Sequence, residues 1–170
     1  MPDTAPLLVH LLAGSTGAGK TTLALKLAAE LGAVRFSIDE WTTGLYGPDI
    51  PASGTYPWLM ERIERIEARI WAMTRQLTAL GTPVVLDLGF TKAGHRAKFE
   101  TLARDAGLGV RLHFADVPAG ERWARVQRRN QEGGPSFHMA VSREMFDFME
   151  SIWEPPTDLE LARLNGVRAA

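Results

Sequence analysis

The chain has no cysteine. That excludes a disulfide framework, a thiolate metal site and a cysteine nucleophile. It has no surplus of charge either: 19 Lys and Arg stand against 20 Asp and Glu, a formal net charge of −1. No global field therefore draws it to nucleic acid or to an anionic membrane. Long hydrophobic runs are missing too. The most apolar stretch, 7–13, is too short to span a bilayer, and no basic region precedes it. No internal repeat, low-complexity tract or heptad array is visible. The default expectation is a cytoplasmic protein with no membrane partner. What remains is 170 residues, 45% hydrophobic and 23% charged. That is an ordinary composition for a folded chain, enough for one core and short for two, so a single domain over 1–170 is expected.

The hydrophobic pattern alternates between two periods. Leu7 to Ala13 reads as a buried strand, apolar on both faces as a parallel sheet requires, with His10 as a core histidine. Lys20 to Leu31 reads as a helix with Leu23, Leu27 and Leu31 on one side and Gly32 as its stop. Val34 to Ile38 reads as a second strand that ends at Asp39. Residues 42–57, dense in Gly, Pro and Thr, read as a loop long enough to suggest a function. Leu59 to Leu80 carries one apolar stripe (Leu59, Ile63, Ile66, Ile70, Met73, Leu77, Leu80), with Glu61 and Arg65 as an i,i+4 pair.

Val84 to Leu88 reads as a third strand, 92–106 as a helix, and Val110 to Ala115 as a fourth strand. An Arg-rich helix over 119–130 is broken by the glycines and proline at 133–135, a further helix covers 139–152, and Glu154 to Pro156 is a turn. Gly166 to Ala170 suits either a short last strand or a tail. Strands separated by helices imply right-handed crossovers and a three-layer α/β fold, a parallel sheet with helices on both faces. Ligands then gather at the carboxyl ends of the strands, where Asp39, Asp87, Asp116 and the glycine-rich turn all fall.

That turn is the strongest signal. Gly14, Ser15, Thr16, Gly17, Ala18, Gly19, Lys20 and Thr21 fit G-x-x-x-x-G-K-[ST] between a strand and a helix. Glycines permit close backbone approach, so successive N–H groups can turn inward around an anion. The following helix adds the positive end of its dipole. Lys20 brings a full charge to the β- and γ-phosphates, and the Thr21 hydroxyl can ligate Mg²⁺; Thr22 is the neighbouring candidate. ATP or GTP binding that requires Mg²⁺ is expected.

Two carboxylates and a helix supply the remaining chemistry. Asp39 could accept the proton of an acceptor hydroxyl as it attacks the γ-phosphate, or could serve as a helix cap. Asp87 lies in an apolar strand, where a charge needs a partner. Mg²⁺ through water would serve, as would an ion pair with Arg96. Arg122, Arg125 and Arg129 share one helix face, and 15 of the 19 basic residues are Arg, which favours bidentate phosphate contacts. Such a helix, part of a lid over about 119–138, could close on the γ-phosphate and exclude water.

The order of P-loop, Asp39, Asp87 and Arg-rich helix resembles the small P-loop kinases, above all the group of polynucleotide kinase, zeta toxin and chloramphenicol phosphotransferase. The segment Asp87 to Arg96 is similar to that group's strand, turn and Arg-bearing helix, and Ala115 to Pro118 with Arg125, Arg129 and Asn130 to its fourth strand and lid. The likeness covers most of 7–156. It implies a P-loop NTPase fold with an Arg-rich lid, ATP as the nucleotide, Asp39 as the general base and Arg129 as a lid arginine. Two positions depart. Polynucleotide kinases carry a substrate-contacting Arg where this chain has Thr42, and a second lid Arg where it has Gly133. Arg125 is left as the substitute.

The acceptor should border 42–57 and the start of the long helix, with Trp41, Tyr46, Trp58 and Arg62 as candidates. Balanced charge favours a small molecule over a polynucleotide. A kinase of nucleic-acid 5′ ends and a nucleotide switch without an acceptor remain as alternatives. The oligomeric state is open.

Overall fold

The computed structural model describes residues 7–51, 53, 55–133 and 140–169. Strand β1 is Leu7–Ala13, followed by α1 (Lys20–Leu31), β2 (Val34–Ser37), α2 (Ile38–Tyr46) and a 3₁₀ turn at Gly47–Asp49. Then come α3 (Thr55–Ala79), β3 (Val84–Asp87), α4 (Ala93–Asp105), β4 (Gly109–Ala115) and α5 (Ala119–Glu132). The chain closes with α6 (Arg143–Ile152), α7 (Asp158–Arg163) and β5 (Val167–Ala169). The five strands form one parallel sheet in the order β2-β3-β1-β4-β5. This is the expected α/β P-loop architecture, and the last residues settle as a strand. The expected lid residues 134–138, the first residue of the helix expected at 139, and Ala170 lie outside the described residues. Among the described residues, no helix is long and apolar enough to cross a membrane.

Alternation along the strands feeds two cores. Val9, Leu11 and Ala13 face a large cluster with Leu86, Leu112, Ile66, Ile70 and Phe99. Leu12 and Val85 face the other way onto Ala24 of α1, with Leu23 and Leu27 beside them. His10 and His113 point to this second face as well, hydrogen-bonded Nδ1 to Nε2 at 3.0 Å. His10 is thus the expected core histidine.

Several expectations are corrected. The segment 42–57 is not a loop at its start, because α2 runs through Tyr46. Ser37 caps that helix by accepting from the Glu40 N–H, and Asp39 and Glu40 favour its positive end. β2 therefore stops at Ser37, and Asp39 stands in a first helical turn. On α3 the buried face is Ile66, Glu67, Ile70, Thr74 and Thr78, while Met73 and Leu80 are exposed, Leu80 lying past the helix end. A 3.6-residue repeat rotates the stripe off those two positions. Leu31 of α1 is exposed, and Ala24 is the residue that α1 buries. The turn at 154–156 leads into α7, which has its own cap: the Thr157 hydroxyl accepts from the Glu160 N–H.

Candidate functional site

The turn between β1 and α1 is built on two left-handed residues. Gly17 has φ 80° and Gly19, the N-cap of α1, has φ 86°. A Cβ on Gly17 would lie 2.6 Å from the Arg122 carbonyl oxygen, so α5 seats directly on the loop at this residue. Within the turn, the Ser15 carbonyl accepts from the Ala18 N–H at 3.1 Å and from the Lys20 ammonium at 3.2 Å. Among the described residues no side chain caps α1, which leaves its first amides without a capping partner. Gly14, Ser15 and Ala18 are buried, Thr16, Gly17 and Thr21 half-buried, and Gly19 and Thr22 exposed.

Lys20 is the electrostatic centre. Burial lowers its proton affinity below that of an ordinary lysine, Asp87 and then Asp39 work against that, and Arg122 and Arg129 reinforce it. The base candidate, the strand carboxylate and a lid arginine therefore all act on one ammonium. Asp87 is buried at the end of β3. Desolvation raises its pKa, and Lys20 and Arg35 oppose the rise. Its ion-pair partner is Arg35 of β2, at 3.6 Å, and not Arg96. Arg35 also donates two hydrogen bonds to Glu40, at 2.9 and 2.8 Å, so β2, α2 and β3 are tied beneath Asp39. Arg96 instead holds Glu160 and the Phe90 carbonyl.

The three arginines expected on one lid face divide. Arg125 hangs over the loop: its Nη1 is 3.7 Å from where a Gly19 Cβ would stand, and its own partner is Glu121. Arg129 is half-buried, with an Nε that has no hydrogen-bond partner among the described residues. Arg122 is buried and fully engaged. It donates to the carbonyls of Val117 and Thr16 and, through both Nη atoms, to Glu150 of α6 at 2.7 Å. That guanidinium keeps the Glu150 carboxyl below its ordinary range, and Ser15 Oγ donates to the same carboxylate. Ser15 and Arg122 also border a cavity of about 270 Å³ that reaches Trp153 and Pro155.

Of the aromatic candidates, Trp41 packs edge-on against Phe36 in the core. Tyr46, Trp58 and Arg62 form a cluster between α2 and α3, the two rings edge-on and the Arg62 guanidinium 3.6 Å from the Trp58 ring centre. Thr42 is buried, and its hydroxyl has no hydrogen-bond partner among the described residues. Glu150 and Arg35 were not foreseen, since neither lies in a local motif. Among the described residues, no group of three or more His, Cys, Asp or Glu gathers as a metal cage. The Thr21 hydroxyl and the Asp87 carboxylate are hard oxygen donors. They suit a magnesium ion whose other ligands are phosphates and water.

A parallel 2-3-1-4-5 sheet with a glycine-rich lysine loop after its first strand defines a P-loop protein with the kinase type of fold. More particularly, the chain belongs to the AAA domain family, whose model matches residues 9–156. The structure is similar to Kti12 of Chaetomium thermophilum in complex with ADP-AlF3, at 16% identity and a TM-score of 0.71, over 95% of this chain and 88% of that one. It is also similar to the Mycobacterium tuberculosis APS kinase bound to AMPPNP and APS, at 22% identity and 0.55, over 76% and 71%. A gluconokinase from Sinorhizobium meliloti matches at 18% and 0.53, over 94% and 80%. These likenesses carry the fold. No curated protein matches the sequence.

Proposed function

We propose that this protein is an ATP-dependent phosphotransferase that moves the γ-phosphate onto a hydroxyl of a small-molecule acceptor. The observation that carries the reading is the phosphate loop itself: Gly17 and Gly19 stand in left-handed conformations, Lys20 donates to the Ser15 carbonyl, and Arg125 of the lid helix stands over Gly19. The loop amides and the α1 N-terminus hold the phosphates, and Lys20 offsets their charge. Arg125 and Arg129 approach from the lid helix and stabilise the charge of transfer. Asp39, exposed in the first turn of α2, takes the acceptor hydroxyl's proton as the acceptor oxygen attacks the γ-phosphorus and the bond from that phosphorus to the departing ADP breaks. Thr21 and, through water, Asp87 would hold a magnesium ion, which would offset the negative charge of the phosphates.

A small acceptor is favoured over a polynucleotide. The chain is nearly neutral, and Thr42, in the place of the substrate arginine of polynucleotide kinases, is buried. The kinase names of the similar structures support the same class of reaction.

A screen of hydroxyl compounds, read as ADP release, tests this. Asp39→Asn should keep nucleotide binding and lose at least about a hundredfold in transfer, the usual share of a general base. Lys20→Ala should lose both. Full transfer by Asp39→Asn would remove Asp39 from the chemistry. A steep fall of acceptor affinity with salt would move the acceptor to nucleic acid.

A further inference from the structure

Glu150 lies outside every motif, yet it is the point where three parts of the molecule meet. Its Oε1 accepts from Ser15 Oγ and from Arg122 Nη1, and its Oε2 from Arg122 Nη2. Arg122 Nη1 also donates to the Thr16 carbonyl at 3.1 Å, and its Nε to the Val117 carbonyl at 2.8 Å. One carboxylate and one guanidinium thus grip two successive loop residues, the β4–α5 turn and α6. α6 is itself fastened to the lid helix. Trp123 packs on Phe146 of α6 at 5.2 Å between ring centres, and Asn130 exchanges two hydrogen bonds with Val141, two residues before α6 begins.

The consequence follows from the peptide plane. The bond between Thr16 and Gly17 is trans, so the Thr16 C=O and the Gly17 N–H point in opposite directions. Arg122 holds the carbonyl on the lid-helix side. The Gly17 N–H is therefore turned away from the Arg122 guanidinium and is left for a ligand of the loop. Glu150 accepts from both Nη atoms of Arg122 and from the Ser15 hydroxyl, and so holds both side chains in these orientations.

We infer that Glu150 is a positioning residue for the phosphate loop: acting through Arg122 and Ser15, it presets the loop amides for a polyphosphate and ties them to the lid helix. The inference rests on the proposed nucleotide binding at residues 14–21.

The test is calorimetric titration of the whole chain with Mg·ADP, with Lys20→Ala as the reference. Glu150→Gln keeps size and removes charge. It should weaken binding about tenfold, the value of one charge-assisted contact. Ser15→Ala should weaken it less, and the Ser15→Ala/Glu150→Gln double variant should bind no worse than Glu150→Gln alone. Circular dichroism without nucleotide should show the wild-type fold in all of them. The amide proton shift of Gly17 in the Mg·ADP complex should change in Glu150→Gln, which a merely structural brace would leave alone. Wild-type affinity in Glu150→Gln beside a damaged Lys20→Ala overturns the inference and spares the binding site. Strictly additive losses in the double variant also overturn it. Wild-type affinity in Lys20→Ala overturns the binding site and the inference together.

Discussion

Replacing Arg96 by alanine should cost more stability than any surface change. Arg96 is fully buried. Its Nε and Nη2 donate to the two Glu160 oxygens at 2.5 and 3.0 Å, and its Nη1 to the Phe90 carbonyl at 2.9 Å. Glu160 is only 7% exposed, so the variant leaves a carboxylate and a carbonyl in the interior without their cation. Breaking a buried pair from one side costs about 3–5 kcal/mol. At about 2–4 °C per kcal/mol for a chain of this size, the unfolding midpoint should drop by roughly 6–20 °C. The turn beyond β3 adds to the argument. Phe90 is buried at φ 46°, a left-handed conformation that costs a non-glycine residue about 1–2 kcal/mol, and Arg96 holds its carbonyl there. Arg96→Met with Glu160→Leu removes both charges and should recover most of the loss, because apolar replacements of a buried pair are often neutral. Thermal unfolding followed by circular dichroism measures all three proteins. A midpoint for Arg96→Ala within about 2 °C of wild type, well under the roughly 3 kcal/mol expected, would refute this reasoning. So would a double variant as unstable as the single one.

Gly17→Ala would be strained twice, by φ 80° and by a Cβ 2.6 Å from the Arg122 carbonyl, so α5 must move off the loop. Mg·ATP affinity should fall by at least about tenfold with the fold retained; calorimetry and circular dichroism together check this. The buried His10–His113 pair makes the fold sensitive to acid. Desolvation, with His10 and Arg111 nearby, lowers the His113 pKa to about 4 from the ordinary 6.5. Between those values the unfolded chain binds the proton and the folded one does not. Stability is therefore undiminished above about pH 6.5 and falls by about 3 kcal/mol as the pH drops to about 4. Denaturant unfolding at pH 7 and pH 4.5 should show the loss, and His10→Leu/His113→Leu should flatten it.

The sheet and the phosphate loop were legible because their signals are local. The two-faced strands, the helix stop at Gly32 and the 14–21 motif each need only neighbours in sequence. α2 and α7 were legible in principle as well. Ser37 to Glu40 and Thr157 to Glu160 both match the S/T-x-x-E helix-start pattern, and in both the hydroxyl caps the helix. The Gly, Pro and Thr content around the first, and the two prolines before the second, masked it. What could not be read was pairing over distance. Arg96 and Asp87 are nine residues apart and looked like partners, yet Arg96 finds Glu160 from a helix 64 residues away, and Asp87 finds Arg35 from the neighbouring strand. Charge complementarity in sequence says that a buried ion has a partner, not which one.

Three arginines held by the chain itself share a task that sorts the basic residues of the site; Arg96 and Arg122 are buried and Arg35 half-buried. Arg35 braces the Asp87 strand end, Arg96 the turn that follows it, and Arg122 the phosphate loop together with the β4–α5 turn. Each is spent on carbonyls or carboxylates of the chain itself. Arg96 and Arg122 cannot leave for a phosphate without stranding buried groups of the chain, the Glu160 carboxylate and backbone carbonyls, which costs more than one new contact returns. Among the described residues, the arginines at liberty near the loop are then Arg125, which pairs with the exposed Glu121, and Arg129, whose Nε has no hydrogen-bond partner. The i+3 and i+4 spacing that placed Arg122 with them was sound geometry. Burial, not spacing, separates the arginine that shapes the loop from the two that can meet its ligand.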